Sequence, residues 1–586
     1  MITVNSSVSR DELKVAIGQK LMIDLRYFDN KDLSVSASNN LVGYQTRNNT
    51  RSGVTKLPCE LAALLCDLNI GGVILFAENC ETKPQIKQLT HAIQQCAMRS
   101  EANLPALISI DQEGGRVTRL PKAQWPSFSG NMAIGAVSEN SRDCAFENGR
   151  LIGEQLAELG INVNHAPTVD VNINHANPVI NVRSFGDDPS IVGDLGIATA
   201  KGLKHSSVLA TFKHFPGHGD THTDSHTGLP CVNHNEQTIE SVDLKPFQQA
   251  IDADECSLIM TAHIQYPVLD SSTIITKRGQ AIVRPATLSR EIITETLRNR
   301  MGFKGLVITD ALDMASISDF LTPLDAVLET FRAGADIALM PFKVHNPDGI
   351  KRFYELVDCV VENVIADEAL TAEILGSFQR IRDIKQTLAQ PTKSMNYLAH
   401  RLFENKLAQD SLINLAHNQS IHLRRITSCN IVMPSIEQAL AFKYAIMSVS
   451  DKELLINCYS LQQLKNVKAR QDQMLIIGLE DKRSVVDAGG MDDLDKDCQQ
   501  QIDQDSVIKT MQHSNEVGGG SVFISLKAPY HCQRYINIAS ISLASFDANC
   551  YQTSDGQWKG AAFDALSMAI FKKIEVTGTL PINITQ

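Results

Sequence analysis

The first two-thirds of the chain alternate short apolar runs with longer amphipathic stretches. Eight apolar runs read as strands: 18–27, 70–76, 106–112, 161–171, 206–215, 257–264, 306–312 and 335–341. Short continuous apolar runs suit strands that are buried on both faces. Between them, 58–69, 82–101, 141–160, 235–254 and 287–301 have helical patterning. The last opens with Thr287-Leu288-Ser289-Arg290-Glu291, a helix-capping start. Strands alternating with helices in this number predict an α/β fold, a (β/α)8 TIM-type barrel with insertions. An open doubly wound sheet is the alternative arrangement.

Residues 391–425 are polar and read as a helical connector. A second, shorter αβ pattern follows, with strands at 429–433, 474–479, 522–526 and 540–546 and helices at 435–447, 459–469 and 560–570. It predicts a smaller α/β sandwich domain. The expected organisation is a catalytic barrel over 1–390, the connector over 391–425 and a C-terminal domain over 426–586. Segment 28–57 is long, polar and rich in Asn, Ser and Thr. An insertion after the first strand would sit on the catalytic rim of a barrel.

Composition narrows the function classes. The net charge of −12 and the scattered basic residues argue against nucleic-acid or anionic-membrane partners. The 13 cysteines include no CxxC pair and read as reduced thiols. The N-terminus has no basic region followed by an apolar stretch, so no signal peptide is expected. No apolar run reaches the ~18 residues of a membrane helix. The expected location is cytoplasmic, with leaderless export as the alternative.

Ionisable residues gather where the strands end. Asp111, Lys213 and His214, His263, and Asp310 close the third, fifth, sixth and seventh runs. In a barrel these ends converge on one mouth. Residues 213–226 read Lys-His-Phe-Pro-Gly-His-Gly-Asp-Thr-His-Thr-Asp-Ser-His. Histidines 214, 218, 222 and 226 recur every fourth position, as a helical metal site would require. Pro216, Gly217 and Gly219 argue against that helix, so no metal is expected. In the loop reading, His218 and His222 are structural or solvated. Asp224 and His226 are close enough in sequence for the carboxylate to orient the imidazole, leaving its other nitrogen for acid and base work. Asp313, three residues past Asp310, reads as a cap or turn residue.

Taken together, these segments resemble glycoside hydrolase family 3, and within it the bacterial β-N-acetylglucosaminidase branch. The matching pieces are IDQEGGRV (110–117), NVRSFGDDP (181–189), KHFPGHGDTHTDSH (213–226), IMTAHIQYP (259–267), PATLS (285–289) and GLVITDALDM (305–314). VFISLKAPY (522–530) and GTLPI (578–582) extend a weaker likeness into the C-terminal region. The resemblance implies Asp310 as nucleophile, His226 as general acid/base and Asp224 as its partner. It implies that Asp111, Arg183, Lys213 and His214 hold sugar hydroxyls and that His263 lines the subsite. The expected activity is a retaining exo-β-N-acetylglucosaminidase acting on peptidoglycan fragments or chito-oligosaccharides through a covalent glycosyl-enzyme. The expected partner is a small-molecule carbohydrate, with no cofactor. A metal-dependent hydrolase, which would be sensitive to chelators, is one rival, and two others stand beside it. One is a phosphorylase of the same family, because a neutral histidine base tolerates phosphate. The other is a non-catalytic sugar-binding protein, opposed by the presence of Asp310, Asp224 and His226.

Overall fold

The computed structural model describes residues 8–29, 53–222, 228–388, 395–480, 503–530 and 532–584. Eight parallel strands form its first sheet: β1 Leu21–Asp24, β2 Gly72–Leu75, β3 Leu107–Ile110, β4 Val163–Asn164, β5 Leu209–Phe215, β6 Leu258–Thr261, β7 Leu306–Thr309 and β8 Ala338–Leu339. Each lies inside one of the eight apolar runs. Successive strands pair from β1 to β7, and β8 pairs with β1. A parallel bridge between Ile308 and Ile337 closes the ring. The open-sheet alternative is thereby excluded.

Side chains alternate faces along a strand. Met22, Ile74, Leu107, Val163, Met260, Ile308 and Leu339 form one apolar cluster inside the barrel. Their neighbours Ile23, Val73, Ile108 and Val307 belong to the layer under the helices. β1, β2, β3 and β7 are therefore apolar on both faces, which explains why their runs are continuous rather than alternating. The helix expected over 287–301 starts later: Ala286–Leu288 is a 3-10 turn and the helix spans Glu291–Arg300, with Ile292 N donating to Ser289 Oγ at 3.1 Å.

The second sheet has six strands, in the order Ile413–His417, Ile541–Ala544, Ser521–Ser525, Gln473–Leu479, Ser428–Met433 and Leu455–Ser460. The first pair is antiparallel and the others are parallel. The four central strands match the sequence reading. The two edge strands were not foreseen. The stretch read as a helical connector contains the helix Tyr397–Asp410 but also the edge strand Ile413–His417. The stretch read as a helix at 459–469 opens with the end of the edge strand Leu455–Ser460 and continues as a 3-10 turn. Edge strands are half solvated and lack the apolar run that marks a central strand.

The second unit rests on the loops that follow β3 and β4. Asn549 Nδ2 donates to Gly115 O at 2.7 Å. Asn172 Nδ2 donates to the Tyr530 hydroxyl at 2.6 Å, and the Tyr530 ring stacks on His175 at 4.6 Å. Among the described residues no helix is long and apolar enough to cross a membrane.

Candidate active site

The two-residue period inside the barrel places the site. Continuing it past Leu107 and Ser109 brings Asp111 and then Glu113 inward. Past Val163 it brings His165, past Leu209 and Thr211 it brings Lys213, and past Ile308 it brings Asp310. The apolar plug thus gives way to ionisable groups at the C-terminal ends of the strands, where the following loops can cover them.

Lys213 is the hub. Its Nζ lies 2.8 Å from Asp111 Oδ1 and 2.7 Å from Glu113 Oε1. Arg183 donates to Glu113 twice, through Nε at 3.0 Å and Nη2 at 2.8 Å, and to Val179 O at 3.2 Å. Burial opposes charge on all four groups, but their mutual attraction prevails. Burial would raise the Asp111 carboxyl; Lys213, His165 and Arg119 outweigh it and hold it well below the usual range. The same contest, won by Arg183 and Lys213, leaves Glu113 at about 2. Lys213 is raised despite its burial by Asp111 and Glu113. The net is therefore ionised, and Asp111, the more exposed of its carboxylates, has acceptor capacity left for a ligand hydroxyl.

A second net adjoins the first. Asp170 is fully buried. It accepts the backbone N–H of His214 at 3.1 Å and that of His218 at 2.7 Å, and its Oδ2 lies 2.7 Å from His214 Nδ1. His214 Nε2 is turned toward Arg183 Nη2, 3.5 Å away. Buried His218 is lowered to about 4, chiefly by desolvation, and its Nδ1 lies 2.8 Å from Thr221 Oγ1. Exposed His222 meets Asn174. The loop needs glycine at 219, because a Cβ there would lie 1.7 Å from Val171 O. Among the described residues no group of three or more His, Cys, Asp or Glu is arranged to hold a metal.

Asp310 is partly exposed at the end of β7. Its backbone N–H pairs with Thr261 O at 3.0 Å, and its Oδ1 accepts Ala311 N at 2.8 Å. His263 is fully buried beneath it, with both ring nitrogens engaged: Nδ1 is 2.8 Å from Thr287 Oγ1, and Nε2 is 2.9 Å from Ala311 O. A carbonyl only accepts, so Nε2 carries the proton. His263 thus braces the backbone after Asp310. Asp224 and His226 lie outside the described residues.

The structure brings Asp111, Arg183, Lys213 and His214 into one connected assembly. It also adds residues that the sequence reading missed. Glu113 joins Arg183 to Lys213, and Asp170 holds His214. His165 sits under the net with no partner at Nε2 and is lowered by desolvation to about 4. Buried Arg119 lies 5.9 Å from the Phe76 ring centre, with no partner at Nε. Glu113 and Asp170 were signalled in the sequence as polar residues at or just past the ends of predicted strands, as Asp111 is, whereas His165 fell in the middle of the predicted run 161–171.

The model of the glycosyl hydrolase family 3 N-terminal domain matches residues 31–381. Beta-hexosaminidase A of Pseudoalteromonas piscicida is 40% identical over 586 residues, covering 97% of this chain and 96% of that protein. A beta-hexosaminidase of Xylella fastidiosa (strain M23) is 31% identical over 330 residues, 56% of this chain and 89% of the relative. Among solved structures, a glycoside hydrolase family 3 β-N-acetylglucosaminidase from Paenibacillus sp. str. FPU-7 superposes with a TM-score of 0.75 at 25% identity, over 98% of this chain and 99% of that one. A β-glucoside phosphorylase shares the fold, with a TM-score of 0.70 at 18% identity, over 99% of this chain and 95% of that one.

Proposed function

The chain belongs to glycoside hydrolase family 3, and on that premise we propose that this glycoside hydrolase is a retaining exo-β-N-acetylglucosaminidase. Its substrates are chito-oligosaccharides or peptidoglycan fragments with a terminal β-linked N-acetylglucosamine. Asp111, Lys213, Arg183 and His214 shape the pocket for that sugar. Asp310 attacks the anomeric carbon, and the bond to the leaving oxygen breaks as that oxygen takes a proton from His226. Water then gives a proton back to His226 and its oxygen to the anomeric carbon, releasing Asp310. Asp224 orients His226 throughout.

One observation carries the assignment of Asp310. Asp111 and Glu113 are bound to Lys213 and Arg183, and Asp170 is fully buried under His214. Asp310 stands partly exposed on another strand of the same mouth, held by the amide of Ala311. Carboxylates committed to buried cations are poorly placed to attack, whereas one exposed at the barrel mouth is accessible to the anomeric carbon of a bound sugar.

The test has two readouts. Proton NMR of early product should show the β-anomer, and a fluoroglycosyl inactivator should label Asp310. The α-anomer, or a label on another carboxylate, would overturn the mechanism. A sugar 1-phosphate formed in phosphate buffer would mark a phosphorylase instead. An oligosaccharide panel, with products identified, separates chitin fragments from peptidoglycan fragments.

A further inference from the structure

His234 lies outside the pocket and takes no part in the steps above. Its two ring nitrogens face two carboxylates: Nδ1 is 2.7 Å from Asp243 Oδ2, and Nε2 is 2.8 Å from Asp220 Oδ2. An ionised carboxylate accepts and does not donate, so this geometry calls for a proton on each nitrogen. Its hydrogen bond to Asp243, together with Asp220, raises His234 to about 9 against the cost of burial. The ring is therefore an imidazolium at neutral pH, clamped between two anions.

The three residues belong to separate segments. Asp220 ends the entry limb of the loop after β5. That limb is fixed from below: Tyr266 OH donates to Gly217 O at 2.6 Å, and Asn177 Nδ2 donates to His218 O at 2.7 Å and Gly219 O at 3.1 Å. His234 ends the exit limb. That limb runs beside the segment after β6, with Val232 N bonded to Gln265 O and Gln265 N to Pro230 O, each at 2.9 Å. Asp243 is buried just before the helix Lys245–Asp252. The Asp220–His234 bond thus crosses between the limbs and joins the two ends of residues 221–233, the stretch that contains Asp224 and His226.

We propose that the Asp243–His234–Asp220 chain is a positioning device for the acid, pinning the neck of the loop that carries His226 to the barrel. It rests on the reading of His226 as the acid. Joining a loop's ends removes much of its conformational freedom. A general acid must lie within about 3 Å of the oxygen it protonates, and a displacement of about 1 Å can cost ~10²-fold in rate. His234 would act only through the loop and would not touch the sugar.

The test compares Asp220→Ala and His234→Ala with His226→Ala on two N-acetylglucosaminides. One has a sugar leaving group, which needs the proton. The other has 2,4-dinitrophenolate, which hardly does. Asp220→Ala is the deciding variant, because its carboxylate is partly exposed, whereas His234→Ala strands the buried Asp243. Asp220→Ala should lose about tenfold or more in kcat on the sugar leaving group and keep within about threefold on dinitrophenolate, with KM on each changed less than about threefold. The double variant should be no worse than the poorer single one, because both cut the same tie. If His226→Ala shows the leaving-group split and Asp220→Ala does not, the pin is refuted while the acid assignment stands. If His226→Ala itself shows no split, the acid assignment fails and the pin falls with it.

Discussion

Asp170 holds His214 at two points, taking its backbone N–H on Oδ1 and facing its ring Nδ1 with Oδ2 at 2.7 Å. The same Oδ1 also takes the backbone N–H of His218. One buried carboxylate thus sets the ring orientation of His214 and the path of the chain into the histidine loop. Asp170→Asn keeps the volume but replaces one acceptor with a donor. It should lower kcat/KM by about tenfold or more, with a folded circular-dichroism spectrum. A variant with unchanged kcat/KM would show that His214 is held well enough by its other contacts.

Glu113→Gln should be chiefly a stability lesion. Glu113 is almost completely buried and balances both Arg183 and Lys213. Removing one partner of a buried ion pair leaves uncompensated charge and costs about 3–5 kcal/mol. Denaturant unfolding of the variant beside wild type measures this. A loss under about 1 kcal/mol would mean that Arg183 and Lys213 find other partners.

Asp310→Ala should nearly abolish turnover of every glycoside, whatever the leaving group, because no glycosyl-enzyme can form. Retention of more than about a tenth of kcat, a loss under ~1.4 kcal/mol of transition-state stabilisation, would exclude Asp310 as nucleophile. A thermal melt checks that the variant folds.

Asp313 gives a prediction with a definite pH sign. Its carboxyl is raised to about 6, mainly by burial, with Asp24 adding to the rise and Lys343 and Arg26 opposing it. The folded state therefore favours the protonated acid, and ionisation opposes folding. The penalty is complete above about pH 6 and disappears as pH falls toward the ordinary value of 3.8. Asp313→Asn should raise the melting temperature at pH 8 and give a much smaller gain at pH 4.5. An equal gain at both values would assign the effect to packing.

Much of this was legible in the sequence, for identifiable reasons. The barrel strands were readable because a parallel strand buried on both faces leaves an unbroken apolar run. Asp111, Lys213 and Asp310 were readable because each interrupts such a run at its C-terminal end. The edge strands Ile413–His417 and Leu455–Ser460 were not, because water on one side removes the run. Glu113 and Asp170 were visible as polar residues near predicted strand ends, but nothing local ranked them above a cap or a turn; His165 was hidden inside the predicted run 161–171, because β4 ends earlier, at Asn164.

The chain by itself determined which residues reach the barrel mouth, because strand direction and the two-residue side-chain period are properties of the local backbone. Partnership was decided only by the tertiary structure. Lys213 meets Asp111 and Glu113 about a hundred residues away. His234 bridges Asp220 and Asp243 because the limbs of one loop are brought together by the segments they pack against. Charge pairing acts across space and depends on burial and distance, and closing the barrel is what sets both.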